Sequence, residues 1–375
     1  MSTLQQFGND TSTAEIVDYT VSNWQTRTSA ADNNWYAIAW NGTVFATVSD
    51  SGTGNRAMTS PDGITWTSRT SAADNGWFGI AWNGTVFAAV AYSGTGNRVM
   101  TSPDGITWTI RTSAADNSWR NIAWNGTVFA AVAQSGTGNR VMTSPDGITW
   151  TSRTSAADNN WFGIAWNGTV FAAVAQSGTG NRVMTSPDGI TWTIRVSAAD
   201  NSWVSVAWNG TLFAAVAITG TGNRVMTSPD GITWTSRTSA ADNQWRAIAW
   251  NGTVFAAVAD SGTGNRAMTS PDGITWTIRT TPSLFFYSIA WSGSIFVALV
   301  WDDSFMTSAD GITWTTRQGV PPNLFRSLAW NGLGTAPMYL LPAAGTGTVF
   351  AAVAQTGTIS NRVMTCHFSK FGSGS

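Results

Sequence analysis

Apolar residues in this chain fall in short blocks separated by polar turn signals, and the blocks recur. Between Asn75 and Asn117, the run WFGIAW (Trp77–Trp82) is bounded by Asn and Gly and predicts a short buried strand. Asn83-Gly84 follows and predicts a type I′ hairpin turn, because both central residues of that turn need positive φ. TVFAAVA (85–91) predicts a second strand, SGTG (93–96) a loop, and NRVMTS (97–102) a third strand. Pro103-Asp104-Gly105 is a tight turn. ITWTIRT (106–112) alternates β-branched or aromatic residues with polar ones, as a fourth strand would, and SAADN (113–117) leads to the next unit. Four antiparallel strands in about 42 residues is the size of one propeller blade.

The step is regular. SPDGITW carries Asp62, Asp104, Asp146, Asp188, Asp230 and Asp272, each 42 residues after the last, and a seventh copy, SADGITW, carries Asp310, 38 residues on. The first-strand motif AWNG or AWSG occurs eight times, at Trp40, Trp82, Trp124, Trp166, Trp208, Trp250, Trp291 and Trp330. The fourth strand in its ITW form occurs only seven times. The missing copy lies at the other end of the chain, where NWQTRTS (23–29) aligns with TWTSRTS (65–71). The expected fold is therefore all-β: an eight-bladed β-propeller over residues 16–368, closed by an N-terminal strand (about 16–28) pairing with the C-terminal blade. A solenoid is the alternative, but a last blade shared between the termini leaves no exposed end edge. A polar arm (1–15) precedes the ring and a flexible tail (369–375) follows it.

Composition narrows the function. The net charge is −1 and only 10% of residues are charged, so the basic stripe of a nucleic-acid binder is missing. Glu15, Lys370, His367 and Cys366 are each the only residue of their type. One Cys excludes an intramolecular disulfide framework. The start MSTLQQFGND has no basic or apolar segment of a secretory signal. No apolar run approaches the roughly 18–20 residues of a membrane span. The expected location is a virion or cell exterior reached without a signal peptide, and otherwise the cytoplasm.

At SPDGITW the chain resembles the Asp-box, or BNR-type, β-propeller repeat. That resemblance implies structural roles for Asp62, Asp104, Asp146, Asp188, Asp230, Asp272 and Asp310: with the preceding Ser they tie a hairpin to the backbone, while the Trp packs between strands. The family includes sialidases, other glycan-active enzymes, assembly factors and phage or surface proteins, so it does not by itself fix a function. A sialidase would use an arginine cluster, a Tyr activated by a Glu, and an Asp. The arginines at 56, 98, 140, 182, 224, 266 and 362 instead occupy one repeated place, suited to pairing with Asp between loops, and the only Glu lies outside the repeats. A two-carboxylate glycosidase needs carboxylates in distinct surroundings, which a repeat does not supply. Cys366-His367 makes no zinc site, and one carboxylate per turn makes no calcium cage, so no metal or cofactor is expected. His367 as part of a nucleophilic triad has a plain competitor, a histidine at a strand end. Asn41-Gly42-Thr43 and its five equivalents match a glycosylation sequon, but the hairpin explains them. SGTGNR lacks the Lys-Ser/Thr and helix of a phosphate loop and reads as a β-turn.

Near-identical copies make the chain its own alignment. After the first Trp or Phe of each unit come Tyr36, Phe78, Arg120, Phe162, Val204, Arg246, Tyr287 and Arg326. Before it come Asn34, Gly76, Ser118, Asn160, Ser202, Gln244, Phe285 and Leu324. At the end of the second strand come Asp50, Tyr92, Gln134, Gln176, Ile218, Asp260, Trp301 and Gln355. Antiparallel pairing places all three sets on the face of the SAADN and SGTG loops, near the channel, and aromatics, Arg and Gln there suit recognition. The competing explanation is drift at tolerant positions. The last two units depart furthest: unit seven loses its SGTGNR loop, and unit eight gains an apolar insert (333–347) with Met338, Tyr339, Leu340 and Leu341. That insert and the arm are expected to dock other virion or surface proteins. The expected function is a non-catalytic binding or structural propeller that recognises a surface receptor or glycan. The alternatives are a lectin with several similar sites and a sialidase-like hydrolase.

Overall fold

In the third unit, Trp119–Trp124, Phe129–Ala133, Val141–Ser144 and Thr151–Arg153 form a four-stranded antiparallel sheet in chain order. Eight such blades make a β-propeller, with no helix among the described residues. The computed structural model describes residues 25–330, 348–355 and 362–368. The arm 1–15, the beginning of the N-terminal strand (16–24), the insert 333–347 with Met338, Tyr339, Leu340 and Leu341, and the tail 369–375 lie outside the described residues.

Two local expectations are corrected. The strands flanking Asn41-Gly42 are in register at Trp40↔Phe45, so four residues form the turn rather than the two of a type I′ hairpin. Asn41 explains it: its Oδ1 accepts from the Thr43 and Val44 amides at 2.8 and 2.7 Å and from the Thr43 hydroxyl at 2.9 Å. This is side-chain mimicry of a backbone turn, and Gly42 supplies the positive φ of 101°. The fourth strand is also shorter than 106–112, covering only Thr109–Arg111. Asp104 Oδ1 draws the Ile106 and Thr107 amides into the preceding turn, at 2.8 and 3.0 Å, and these residues leave the ladder.

The second strand, FAAVA in blades two to six, is buried at every position, because blades cover it on both sides. Its alanines let the next blade's large side chains approach closely. Between blades three and four, Ala130, Val132 and Val141 meet Trp161, Phe171, Met184 and Trp192. The same cluster recurs between blades eight and one, where Val349, Ala351, Val353 and Val363 meet Trp35, Phe45, Met58 and Trp66. There the chain's ends join: Gln25–Arg27 pairs antiparallel with Val363–Phe368. Arg27 Nε donates to Thr365 Oγ1 at 2.9 Å, copying the Arg69–Thr59 bond of blade one at 2.8 Å. The N-terminal strand thus takes the fourth-strand place in blade eight.

Blades seven and eight share backbone. With the SGTGNR loop gone, Phe296–Ser308 carries the second and third strand positions of blade seven. Thr315–Trp330 runs on from its fourth strand into the first strand of blade eight, and the two blades form one six-stranded sheet.

The boxes carry a pH prediction. At Asp146, burial alone would raise the carboxyl pKa, but hydrogen bonds from the Thr149 and Ile148 amides and the Ser144 hydroxyl outweigh it and hold the group below its usual value. The other six box aspartates are lowered in the same way. A depressed folded pKa contributes stability above the unfolded value of about 3.9, lost as pH falls through the folded value. Circular dichroism should therefore show the ring intact at pH 5 and weakening below about pH 4. Asp146→Asn in one box should make that fall shallower, and an unchanged acid profile would contradict this role.

Candidate functional site

The residue after the first Trp or Phe of every blade sits on a β-bulge. In blade three the register jumps from Trp119↔Ala133 to Asn121↔Val132, which leaves Arg120 as the extra residue. The same jump leaves out Tyr36, Phe78, Phe162, Val204, Arg246, Tyr287 and Arg326. A bulge re-aims a side chain without disturbing the ladder on either side, so this position accepts different residues while its neighbours cannot. First strands of successive blades touch one another around the ring, including the pair between blades one and eight, so they line the axis.

The other two variable sets lie beside the bulges. The backbone amide of Asp50 donates to Asn34 O at 3.2 Å, and Tyr92 to Gly76, Gln134 to Ser118, Gln176 to Asn160, Ile218 to Ser202 and Asp260 to Gln244 follow the same pattern. The flanking loops are fixed. Arg56 Nη1 donates to Asp50 O at 2.7 Å, its Nε lies 3.7 Å from Asp74 of the next connector, and Asp74 accepts from the Gly54 amide at 2.7 Å. The repeated arginines therefore brace the rim rather than converging on a centre. Trp301 pairs through its backbone with Leu324 of the next blade, and its side chain lies outside the described part.

The bulge residues contact one another across blades. Tyr36 and Phe78 have ring centroids 4.2 Å apart. Arg120 lies 4.6 Å from the Phe78 centroid and 4.6 Å from that of Phe162. Arg326 lies 5.1 Å from Tyr287 and 5.7 Å from Tyr36. The arc Tyr287, Arg326, Tyr36, Phe78, Arg120, Phe162 thus runs through six consecutive blades, with each of its two arginines between two rings in the geometry that attracts them. Val204 interrupts it, and Arg246 turns away to pair with Asp260 and Gln244. Arg326 likewise donates to Gln355 Oε1.

One further pairing is complementary in shape. Tyr92 meets Phe78 edge-on, with centroids 4.6 Å apart and planes at 82°. Its ring lies over Gly76, where any Cβ would come within 2.0 Å of it. Glycine at 76 leaves that ring its space.

Asp50 accepts hydrogen bonds from Asn34 and Tyr36, yet burial pushes its carboxyl above the usual range. Burial, and then the Asp50 charge, push the Tyr36 phenol up as well. Burial lowers Arg120. Two surface clefts of about 500 and about 530 Å³ lie elsewhere, one beside Asn167, Pro187, Trp208 and Asp230, the other beside Arg153, Ile190 and Trp192. Both are lined by residues of the repeating frame and include no bulge position. Among the described residues, no three His, Cys, Asp or Glu side chains cluster as metal ligands would.

No family model matches the chain, and no curated protein sequence does. Solved structures match along most of its length. The computationally designed Ika8 protein is 11% identical with a TM-score of 0.64, over 91% of this chain and 99% of that one. YCF48 bound to D1 peptide is 16% identical with a TM-score of 0.54, over 76% and 93%. Virginiamycin B lyase from Staphylococcus aureus is 11% identical with a TM-score of 0.59, over 79% and 96%. At such identities the likeness shows the propeller fold alone.

Proposed function

We propose that the chain is a non-catalytic propeller of the Asp-box type, a virion-associated or adhesion-type protein that recognises a surface receptor or glycan through the rim where its blades differ. The observation that carries this reading is the continuous arc of six bulge side chains, all different from the frame, at one end of the channel. Drift at independent solvent-facing positions would leave no reason for neighbouring blades to set a ring on each side of Arg120 and Arg326, or for Gly76 to accommodate Tyr92. Both YCF48 with its D1 peptide and virginiamycin B lyase are propellers, so the fold is compatible with binding and with catalysis, and the rim has to decide.

A hydrolase reading has one observation in its favour: Tyr36 stands beside Asp50, near Arg120 and Arg326. A tyrosine nucleophile is activated by a lowered pKa or by an adjacent base; burial and Asp50 raise the Tyr36 phenol, which leaves Asp50 as the base that this reading would need.

Binding of the full chain to a glycan array and to candidate host cells tests this reading. Retention is expected, reduced about tenfold or more by Phe78→Ala or Arg326→Ala, as for truncation of an aromatic or arginine anchor. A blank array and unbound cells with an intact ring would leave a purely structural component instead. Turnover of a bound glycan, lost in Tyr36→Phe, would establish the hydrolase.

A further inference from the structure

Three blades place an arginine on the bulge, and the three behave differently. Each has a side-chain acceptor available at the end of its own second strand: Gln134 for Arg120, Asp260 for Arg246, Gln355 for Arg326. Arg246 uses Asp260, and Arg326 uses Gln355. Arg120 makes no hydrogen bond to Gln134 and has no carboxylate partner among the described residues. It extends instead between Phe78 and Phe162, which belong to the blades on either side. With rings against its two sides, the guanidinium keeps only its N–H edge for hydrogen bonding.

The surroundings sharpen the point. Asp50 acts electrostatically on Tyr36, and it faces Arg326 and Arg56 rather than Arg120. The ionisable groups that act on Arg120 are Tyr36, whose raised phenol is neutral near neutral pH, and a second cation, Arg326. The arc therefore holds a partly buried arginine that no carboxylate among the described residues compensates. A buried cation without a partner costs stability, and a planar guanidinium fork is suited to two parallel hydrogen bonds with a carboxylate, sulfate or phosphate.

We infer that the edge of Arg120 is an oxyanion-binding station on the propeller axis, which takes a carboxylate, sulfate or phosphate group of the ligand while Phe78 and Phe162 hold the guanidinium in place. This rests on the binding reading of the rim and names the chemistry it selects. Arg326 adds attraction at longer range, and Arg246, neutralised by Asp260, does not take part.

The full chain, labelled with ¹⁵N-arginine, is titrated with sodium acetate, sodium sulfate and sodium phosphate, each against sodium chloride at matched ionic strength. The Arg120 Nε–H signal, assigned by its loss in R120K, is expected to move saturably with at least one oxyanion while the bracing arginines at 98 and 140 stay still. A response to acetate points to a carboxylate-bearing ligand, and a response to sulfate or phosphate points to an ester of that kind. R120K keeps the charge but loses the fork, so the affinity read from the Arg326 signal should fall about tenfold, the usual effect of losing a charged hydrogen bond. Circular dichroism of R120K reports whether the ring is intact. If Arg120 moves no further than in chloride, or moves together with the bracing arginines, or if Arg326 responds equally in R120K, there is no such station. If that happens while rim substitutions still abolish array binding, the station is wrong and the recognition reading survives. Oxyanion binding with a blank array and unbound cells would keep the station and overturn recognition of a receptor or glycan.

Discussion

Trp161→Ala is expected to destabilise the ring by about 3–5 kcal/mol, the range for removing a large buried aromatic. Trp161 is 0% exposed and packs between blades three and four. The residues around it include Ala123, Ala130, Ala173 and Ala175, whose short side chains cannot move in to fill the space. A cavity would therefore persist, and cavity volume adds to the lost transfer energy. The indole N–H also donates to Ala157 O at 3.1 Å, which ties the connector between the blades to this core. Ile190→Ala is the matched control. Ile190 is 48% exposed on the box turn of the same blade, and its truncation should stay within about 0.5 kcal/mol. Denaturant melts of the two variants check the contrast, and similar midpoints would mean that blades are not held together through these tryptophans.

The second large effect concerns closure. A chain starting at Ala30 lacks the strand Gln25–Arg27 and uncovers the edge of Val363–Phe368. It loses three ladder positions and the Arg27–Thr365 bond. At about 0.5–1.5 kcal/mol for each hydrogen bond, the loss is on the order of a few kcal/mol. The larger consequence is the bare edge, which can pair with a second copy. Light scattering after gel filtration should show oligomers at concentrations where the full chain gives its native species. Hydrogen exchange should be faster at 363–368. An unchanged species and unchanged protection would mean that the first strand does not hold the ring shut.

The frame is legible in the sequence because the chain repeats itself. The alignment of 23–29 with 65–71 assigns the N-terminal strand to blade eight, and antiparallel pairing alone puts the three variable sets at one end. Other features depend on geometry that a residue pattern does not carry. Asn41 could have served a two-residue turn, and only the register shows a four-residue loop stitched by its side chain. The lost loop of unit seven is visible in the sequence, but not that the backbone continues as one strand into blade eight. Nothing in WRNIAW distinguishes a bulged Arg120 from an ordinary strand residue. Gln134 and Gln355 are the same residue at equivalent places, yet only Gln355 receives its arginine: Arg120 sits closer to its two rings, at 4.6 Å from each, than Arg326 does to Tyr287 and Tyr36, at 5.1 and 5.7 Å. The change to Gly76 alongside Tyr92 could have been noticed as a pair, although its cause, a ring lying over the backbone, could not.

Recognition where the blades disagree is tested most directly by levelling the ring. Blade five already carries Val204 on its bulge, so valine is a residue the frame accepts. A variant with valine at 36, 78, 120, 162, 246, 287 and 326 should keep its fold by circular dichroism. Its binding to the cells or glycans that retain the wild type should weaken at least about 100-fold, the loss of several anchors at once. The companion variant changes the exposed isoleucines of the opposite face, Ile106, Ile148, Ile190 and Ile232, to threonine, and it should bind as the wild type does. Full binding by the levelled ring, or loss of binding on the isoleucine face, would contradict the assignment of recognition to the variable rim.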